Sequence, residues 1–282
     1  MKNYDYIITG PQGNIGSRLA KRSSENYLEV GRNDWDLLEK SDLSAKCIVH
    51  CAFDLKHSYS HNPYLMIDSN LSTTAKLLEI AKKNKIKKII FISSCAVYGN
   101  SSNTSEKNIC IPISINGQLK LLNERIIESF CNENNITFHI FRVFNLFGGD
   151  DHFSVVSKIL QSAKLGNKFT LNNQGLSQRD FIHVDDVCDI ILETVRKNLS
   201  FTHLNLGTGV ATKICDLFTF AQGIARELSH IETANLESEY SRADLTEFNL
   251  FFHKKFINVF DYLERELKLQ STSIYRPIHA GK

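Results

Sequence analysis

Three groups of residues in this chain can do chemistry, and their spacing ties them to one place. Gly10, Gly13 and Gly16 recur at every third position directly after the apolar run Tyr6-Ile7-Ile8. Glycines so placed serve a tight turn, close backbone approach to a pyrophosphate, and helix-on-strand contact. The helix they open offers unpaired N–H groups and partial positive charge to phosphate. Ser93 and Ser94 follow a second apolar run, Lys87 to Ile92, so a hydroxyl ends a predicted strand and points into the same crevice. Asn116 and Lys120 are four residues apart and share one face of a predicted helix. Arg32 lies just past the short run Tyr27-Leu28-Glu29-Val30. An acid at that point favours NAD through the ribose 2′-hydroxyl, whereas an arginine accepts the 2′-phosphate of NADP. Glu29 is a little early, so NADP is expected, with NAD as the alternative.

The elements that must hold these groups alternate strand and helix. Ile15, Leu19 and Ala20 start a helical apolar face between two strands, giving a βαβ unit over Tyr4 to Arg32. Asp34 to Leu38 reads as a connection, with Asp36 and Leu37 as candidate adenine contacts. Cys47 to Ala52 is a strand whose C-terminal end, Cys51-Ala52, reaches the crevice. His50 on it is expected to be a hydrogen-bonded core histidine. Phe53 to His61 is polar and reads as a loop at the rim. Pro63 opens a long helix through Ala81 that includes Asn70, and a second long helix runs from Ser114 to Cys131. Alternation of this kind predicts an α/β fold with a doubly wound parallel sheet of Rossmann type. Residues 1–147 and 176–208 are assigned to the dinucleotide-binding domain, and 148–175 and 209–282 to a small C-terminal substrate-binding lobe.

Composition narrows the classes. The 282 residues are 42% apolar, enough for a large core, and the net charge is +2. Lysines and glutamates are scattered with no basic stripe, so no nucleic-acid partner is expected. No apolar run approaches the length of a membrane span. The chain opens on a core strand, so no signal peptide is expected. Seven cysteines are an odd number, and no pair has zinc-like spacing, so no metal site is expected. Cys47 and Cys51 read as small buried apolar residues. A reducing, cytoplasmic location follows.

The chain resembles the extended short-chain dehydrogenases of the NAD-dependent epimerase/dehydratase family, which act on nucleotide sugars. The resemblance rests on Gly10-x-x-Gly13-x-x-Gly16, His50-Cys51-Ala52, Ser93 to Gly99, Arg142 to Gly148, Arg179 to Asp186, and Asn205 to Gly209, in the family's order. It implies a dinucleotide on Gly10, Gly13, Asn14, Ile15 and Gly16, with Arg32, Asp36 and Leu37 at the adenosine. Cys51, Ala52, Asn70 and Lys120 complete that site by the same resemblance. It further implies a catalytic Ser or Thr at Ser94 and a Tyr-x-x-x-Lys helix motif. Here that motif reads Asn116-Gly117-Gln118-Leu119-Lys120. The lysine is present and the tyrosine is an asparagine.

A tyrosine with a free pKa near ~10 can exchange a proton when a lysine lowers it; an amide cannot. Asn116 can orient a sugar oxygen and is not a general acid or base. Three readings stay open. Another group does the proton work (Ser94 through a water, Cys95, or a rim residue such as Asp54 or His57). The chain is a binding relic of an enzyme. Or Asn116 is a change introduced to trap a substrate. A non-catalytic binding protein that keeps the cleft is thus the rival class, and a redox-sensing regulator a weaker third.

The resemblance also disfavours two subclasses. The 4,6-dehydratases carry Asp-Glu where this chain has Cys95-Ala96, and the 3,5-epimerase-reductases carry a Cys at the position of Ala96. C4 epimerisation or reduction of a 4-keto nucleotide sugar remains, and Arg32 leans toward a reductase. For the substrate, the resemblance implies that Asn145 touches the diphosphate, that Gly148 to Leu171 meets the base, and that Arg179 and Arg242 bind phosphates. His183, Asp185 and Asp186 are read as capping a helix from Val187 to Val195. The helices over Pro63–Lys83 and Ser114–Cys131 imply a homodimer by analogy.

Overall fold

A computed structural model describes residues 2–35, 38, 43–54, 62–101, 104–234 and 240–274. The chain begins β1 (Lys2–Thr9), α1 (Asn14–Arg22), β2 (Tyr27–Val30), β3 (Leu43–His50), α2 (Pro63–Lys83), β4 (Lys88–Ser94) and a 3-10 turn (Cys95–Tyr98). It continues α3 (Ile115–Asn134), β5 (Thr137–Val143), β6 (Asn145–Phe147), α4 (Val155–Leu165), β7 (Phe169–Asn172), β8 (Gln178–His183) and α5 (Val184–Arg196). Then follow β9 (His203–Leu206), β10 (Ala211–Lys213), α6 (Ile214–Ile224), β11 (His230–Thr233), β12 (Tyr240–Ser241), α7 (Phe248–Phe251) and α8 (Val259–Ile274).

Six strands pair in parallel in the order β2-β1-β3-β4-β5-β9. Their apolar runs are near-continuous because both faces are covered. Alternate residues divide between two cores: Tyr6, Ile8, Cys47, Val49, Ile90 and Phe141 face Leu19 of α1 and Val187, Ile190 and Ile191 of α5. Ile7, Ile48, Ile89, Phe91 and Ile140 face Leu77 and Leu78 of α2 and Ile127 and Cys131 of α3. The strand order reverses between β1 and β3, which makes the C-terminal ends of those two strands the topological switch point.

Helix starts follow from local chemistry. Asn62 accepts from the Leu65 amide at 3.0 Å ahead of Pro63, and Ser114 accepts from the Gly117 amide at 3.1 Å. Helix α5 starts three residues before the expected Val187. His183 is its cap, accepting from the Asp185 amide at 3.1 Å, with Asp185 and Asp186 in the first turn. Strand β4 likewise extends past Ile92 to Ser94.

Residues 176–208 divide in a way the sequence reading did not anticipate. Only β9 joins the central sheet; β8 pairs with β6 along Phe181–His183 and with β10 and β12 along its first half. Beside this second sheet lies a third core of Phe147, Val156, Ile159, Phe181, Leu217 and Leu263. Among the described residues no helix is long and apolar enough to cross a membrane.

Candidate active site

The glycine turn closes the C-terminal end of β1. Gly10 has a φ of +70°, and a Cβ there would stand 2.7 Å from the Ala52 Cα. A Cβ on Gly16 would stand 2.2 Å from the Gly10 carbonyl oxygen. Packing alone therefore demands both glycines. Gly13 is different. Its φ and ψ of −78° and 162° suit any residue, and a Cβ would meet only the Gly10 oxygen, at 3.4 Å. Neither backbone nor packing explains its missing side chain, whereas a ligand lying on the turn does. Gly13 caps α1 with no side-chain hydrogen bond, and the first turn of α1 carries no acid. These features fit a dinucleotide pyrophosphate.

Around this cradle the expected residues fall as follows. The Asn14 carboxamide donates to the Gly148 carbonyl at 2.9 Å and accepts from the Asp150 amide at 3.0 Å, so it pins the 148–150 loop beside the turn. Ile15 packs its side chain on the core of the sheet. Cys51 and Ala52 lie just past the end of β3, which stops at His50 rather than running to Ala52 as expected; they stand beside Gly10, and burial pushes the Cys51 thiol up to about 12. Asn70 is buried and holds the backbone of Asp54 from both sides: its Oδ1 accepts from the Asp54 amide at 2.7 Å and its Nδ2 donates to the Asp54 carbonyl at 3.2 Å. Arg32 donates to the Asp54 carboxylate at 3.1 Å. Asp36, Leu37 and His57 lie outside the described residues. His50 is a core histidine, bonded to Thr9 at 2.7 Å and Thr74 at 3.2 Å, and burial lowers its pKa to about 3.

Ser94 ends β4, Cys95 opens the 3-10 turn that follows, and Lys120 of α3 reaches the same strand at Ile92. A Cβ on Gly117 would stand 2.5 Å from the Ala96 carbonyl oxygen, so a glycine is what lets α3 lie against the 3-10 turn. The Ser94 hydroxyl accepts from the Ala96 amide at 3.2 Å. Lys120 reaches under the strand end and donates to the Ile92 carbonyl at 2.6 Å, with its ammonium 4.1 Å from the Phe53 ring centroid. Burial lowers its pKa to about 7, an effect that its neighbours Cys51 and Glu124 oppose. Burial pushes the Cys95 thiol up to about 11, with Asp180 adding to the rise and a hydrogen bond to Ser241 opposing it. Asn116, in the first turn of α3, is exposed.

The substrate candidates lie along the second sheet. Asn145 donates to the Asp180 carbonyl at 3.0 Å and to the Ser241 hydroxyl at 2.9 Å. Arg179 is registered with Ser241, and Arg242 follows directly after the end of β12. Arg179 is half-buried and Arg242 exposed.

Two charged clusters escaped the sequence reading. Asp180 is fully buried and accepts four hydrogen bonds, from the amides of Thr208, Gly209 and Ala243 and from the Thr208 hydroxyl, at 2.7–3.0 Å. Burial still raises its pKa. Glu124 accepts from Arg142 at 2.8 Å and from the Ser93 hydroxyl, and Arg142 donates to the Tyr98 hydroxyl at 3.1 Å. The available signal was a carboxylate on the helix face that also carries Lys120 and Ile127.

The sequence model of the NAD dependent epimerase/dehydratase family matches residues 6–207. The chain belongs to this family. A putative UDP-glucose 4-epimerase of Methanocaldococcus jannaschii is 29% identical over 230 residues, covering 77% of this chain and 73% of that protein. An uncharacterized protein of the same organism is 29% identical over 260 residues, covering 76% and 78%. Among solved structures, a Thermotoga maritima UDP-glucose 4-epimerase with UDP-glucose superposes with a TM-score of 0.83 at 23% identity, over 96% of this chain and 99% of that one. A Bacillus cereus UDP-glucuronic acid 4-epimerase, solved with NAD and UDP-glucuronic acid, gives 0.79 at 22%, over 97% and 100%. The chain is therefore a member of an NAD-dependent enzyme family with the family's parallel-sheet fold.

Proposed function

We propose that this family member acts at C4 of a nucleotide sugar, by epimerisation or by reduction of a 4-keto group. The observation that carries this is the placement of Ser94 and Cys95 at the end of β4 with Lys120 bonded to the Ile92 carbonyl of the same strand, which lies beside β3 in the sheet that ends on the glycine cradle. Gly10, Gly13 and Gly16 hold a dinucleotide, and Lys120 orients its nicotinamide ribose. When bound, the nicotinamide gives or takes the hydride. Ser94 hydrogen-bonds the sugar oxygen at C4. Asn116, four residues before Lys120, donates to the same sugar and moves no proton.

The proton falls to Cys95. Its thiol is protonated at neutral pH because burial raises its pKa to about 11, and it directly follows Ser94, so it serves the reductive direction: it would give its proton to the oxygen at C4 and regain one from water. Asp54 is engaged with Arg32, which leaves it the weaker candidate. Arg179 and Arg242 bind the diphosphate as forked cations, and residues 148–175 with 209–282 form the substrate lobe. The exposed Tyr64 and Leu65 of α2 and Leu122 of α3 fit a homodimer. Seven unpaired cysteines fit a cytoplasmic setting.

A second reading has its own observation. Asn116 is exposed at the position of the family's tyrosine, so a chain that binds without efficient turnover is also supported. One experiment separates the two. Wild type, Cys95→Ser and Asn116→Tyr are assayed with UDP-4-keto sugars and UDP-hexoses, following cofactor absorbance. Turnover by wild type that falls about 10²-fold or more in Cys95→Ser supports the substitute acid. Turnover in Asn116→Tyr alone supports the binding relic. Inactivity of all three with every nucleotide sugar counts against C4 chemistry.

A further inference from the structure

The dinucleotide reading leaves a choice between NAD and NADP, and Arg32 alone points to NADP. The structure surrounds Arg32 with something the sequence did not show. Its guanidinium is 3.1 Å from the Asp54 carboxylate, with side-chain exposures of 66% for Arg32 and 5% for Asp54. Arg32 follows β2 and Asp54 follows β3, and both strands pair with β1. Strands two places apart in a sheet stand about 9.5 Å from each other. The ion pair thus reaches across the end of β1, beside the glycine turn.

Asp54 is built in rather than incidental. Asn70 holds its amide and carbonyl, and the Ser69 hydroxyl donates to its carboxylate at 3.3 Å. Asn70 is itself 4% exposed and also donates to the Met66 carbonyl at 2.9 Å. The backbone of Asp54 is therefore held in place, and its nearly buried carboxylate is bonded to Ser69 as well as to Arg32.

Resting on the dinucleotide reading above, we propose that Asp54 is the residue that decides cofactor choice, and that the Arg32–Asp54 pair selects NAD against NADP. A 2′-phosphate placed on Arg32 would come within a few ångströms of that carboxylate, well inside the ~8 Å over which salt screens charges. If Arg32 instead turned to the phosphate, a nearly buried carboxylate would lose its guanidinium. Both routes penalise the phosphate, and neither touches a ribose hydroxyl. The arginine that suggests NADP is thus already neutralised by an acid from the next strand but one.

The test is direct binding, by fluorescence titration of NADH and NADPH to wild type, Asp54→Asn and Arg32→Ala, with circular dichroism confirming the fold of each. Wild type is expected to bind NADH about ten-fold tighter than NADPH or better, and Asp54→Asn to shift that ratio toward NADPH by about ten-fold. Arg32→Ala, changed at an exposed position, is expected to move the ratio the other way. A ratio unchanged within about two-fold in Asp54→Asn, or wild-type preference for NADPH, overturns the proposal while leaving the dinucleotide site standing. Failure of wild type and both variants to bind either dinucleotide overturns the dinucleotide reading itself, and this proposal with it.

Discussion

Helix α3 presents two regions built to opposite standards. Its first turn carries Asn116 in the open. Two turns further on, Glu124 is 1% exposed and clamped between Arg142 and Ser93, while Arg142 extends the knot to Tyr98 and Tyr98 to Asn205. The buried region ties α3 to β4, β5, β9 and the 3-10 turn, so change there is costly. Asn116 is exposed even though its neighbour Gly117 packs on the 3-10 turn, so change at 116 itself costs the fold little. This difference means that the first turn of α3 tolerates substitution at position 116 far better than the buried knot does at 124.

The sharpest way to break that comparison is to cut the knot. Arg142→Leu leaves Glu124 as a buried carboxylate without its cation, a loss of about 3–5 kcal/mol. Asn116→Tyr is expected to stay within about 0.5 kcal/mol of wild type. Urea denaturation of both variants checks the pair. Similar losses in the two would show that the buried and exposed regions of α3 are not held differently.

Much of this architecture was legible because it rests on local pattern. The glycine turn, the strand runs and Pro63 announce themselves through steric rules that operate within a few residues. The C-terminal sheet did not. Strand β12 has two residues, and β8 pairs with three partners from distant parts of the chain, so no periodicity in Arg179 to His183 reveals its neighbours. The same limit hid Asp54. Its role depends on the order β2-β1-β3, which brings it to Arg32 across 22 residues of sequence. Asp180 was overlooked beside Arg179 because a charged residue in a strand reads as surface. Its four bonds come from the Thr208 hydroxyl and from three amides, of Thr208 and Gly209 after β9 and of Ala243 after β12, which reach it only through the tertiary fold.

Lys120 lies between the two regions of α3 and tests where the buried character begins. Its pKa falls to about 7 through burial, from an ordinary 10.5. Between those values the unfolded chain holds a proton that the folded chain has lost, so stability rises with pH across that window. Below pH 7 the folded state carries the full cost of a buried ammonium. Lys120→Met removes this dependence. The variant should gain on wild type at pH 6, and its advantage should shrink by on the order of 3 kcal/mol by pH 9.5. Thermal melts of the ligand-free proteins at the two pH values measure this. Parallel curves would mean that water already reaches the ammonium.

The smallest effect concerns the glycine turn, where two neighbours three residues apart answer to different causes. A Cβ on Gly16 runs into the Gly10 carbonyl oxygen at 2.2 Å, and both are backbone atoms that cannot step aside. Gly16→Ala should therefore cost about 1–3 kcal/mol of stability as α1 is pushed off β1. A Cβ on Gly13 touches the same oxygen at an ordinary 3.4 Å. Gly13→Ala should leave stability within about 0.5 kcal/mol of wild type, yet weaken NADH binding about ten-fold, because the methyl occupies the ground that a pyrophosphate needs. Calorimetry of folding and of NADH binding on the two variants separates the causes. Equal loss of stability in both would mean that Gly13 is required by the fold, and the steric argument for a ligand on this turn would then have no footing.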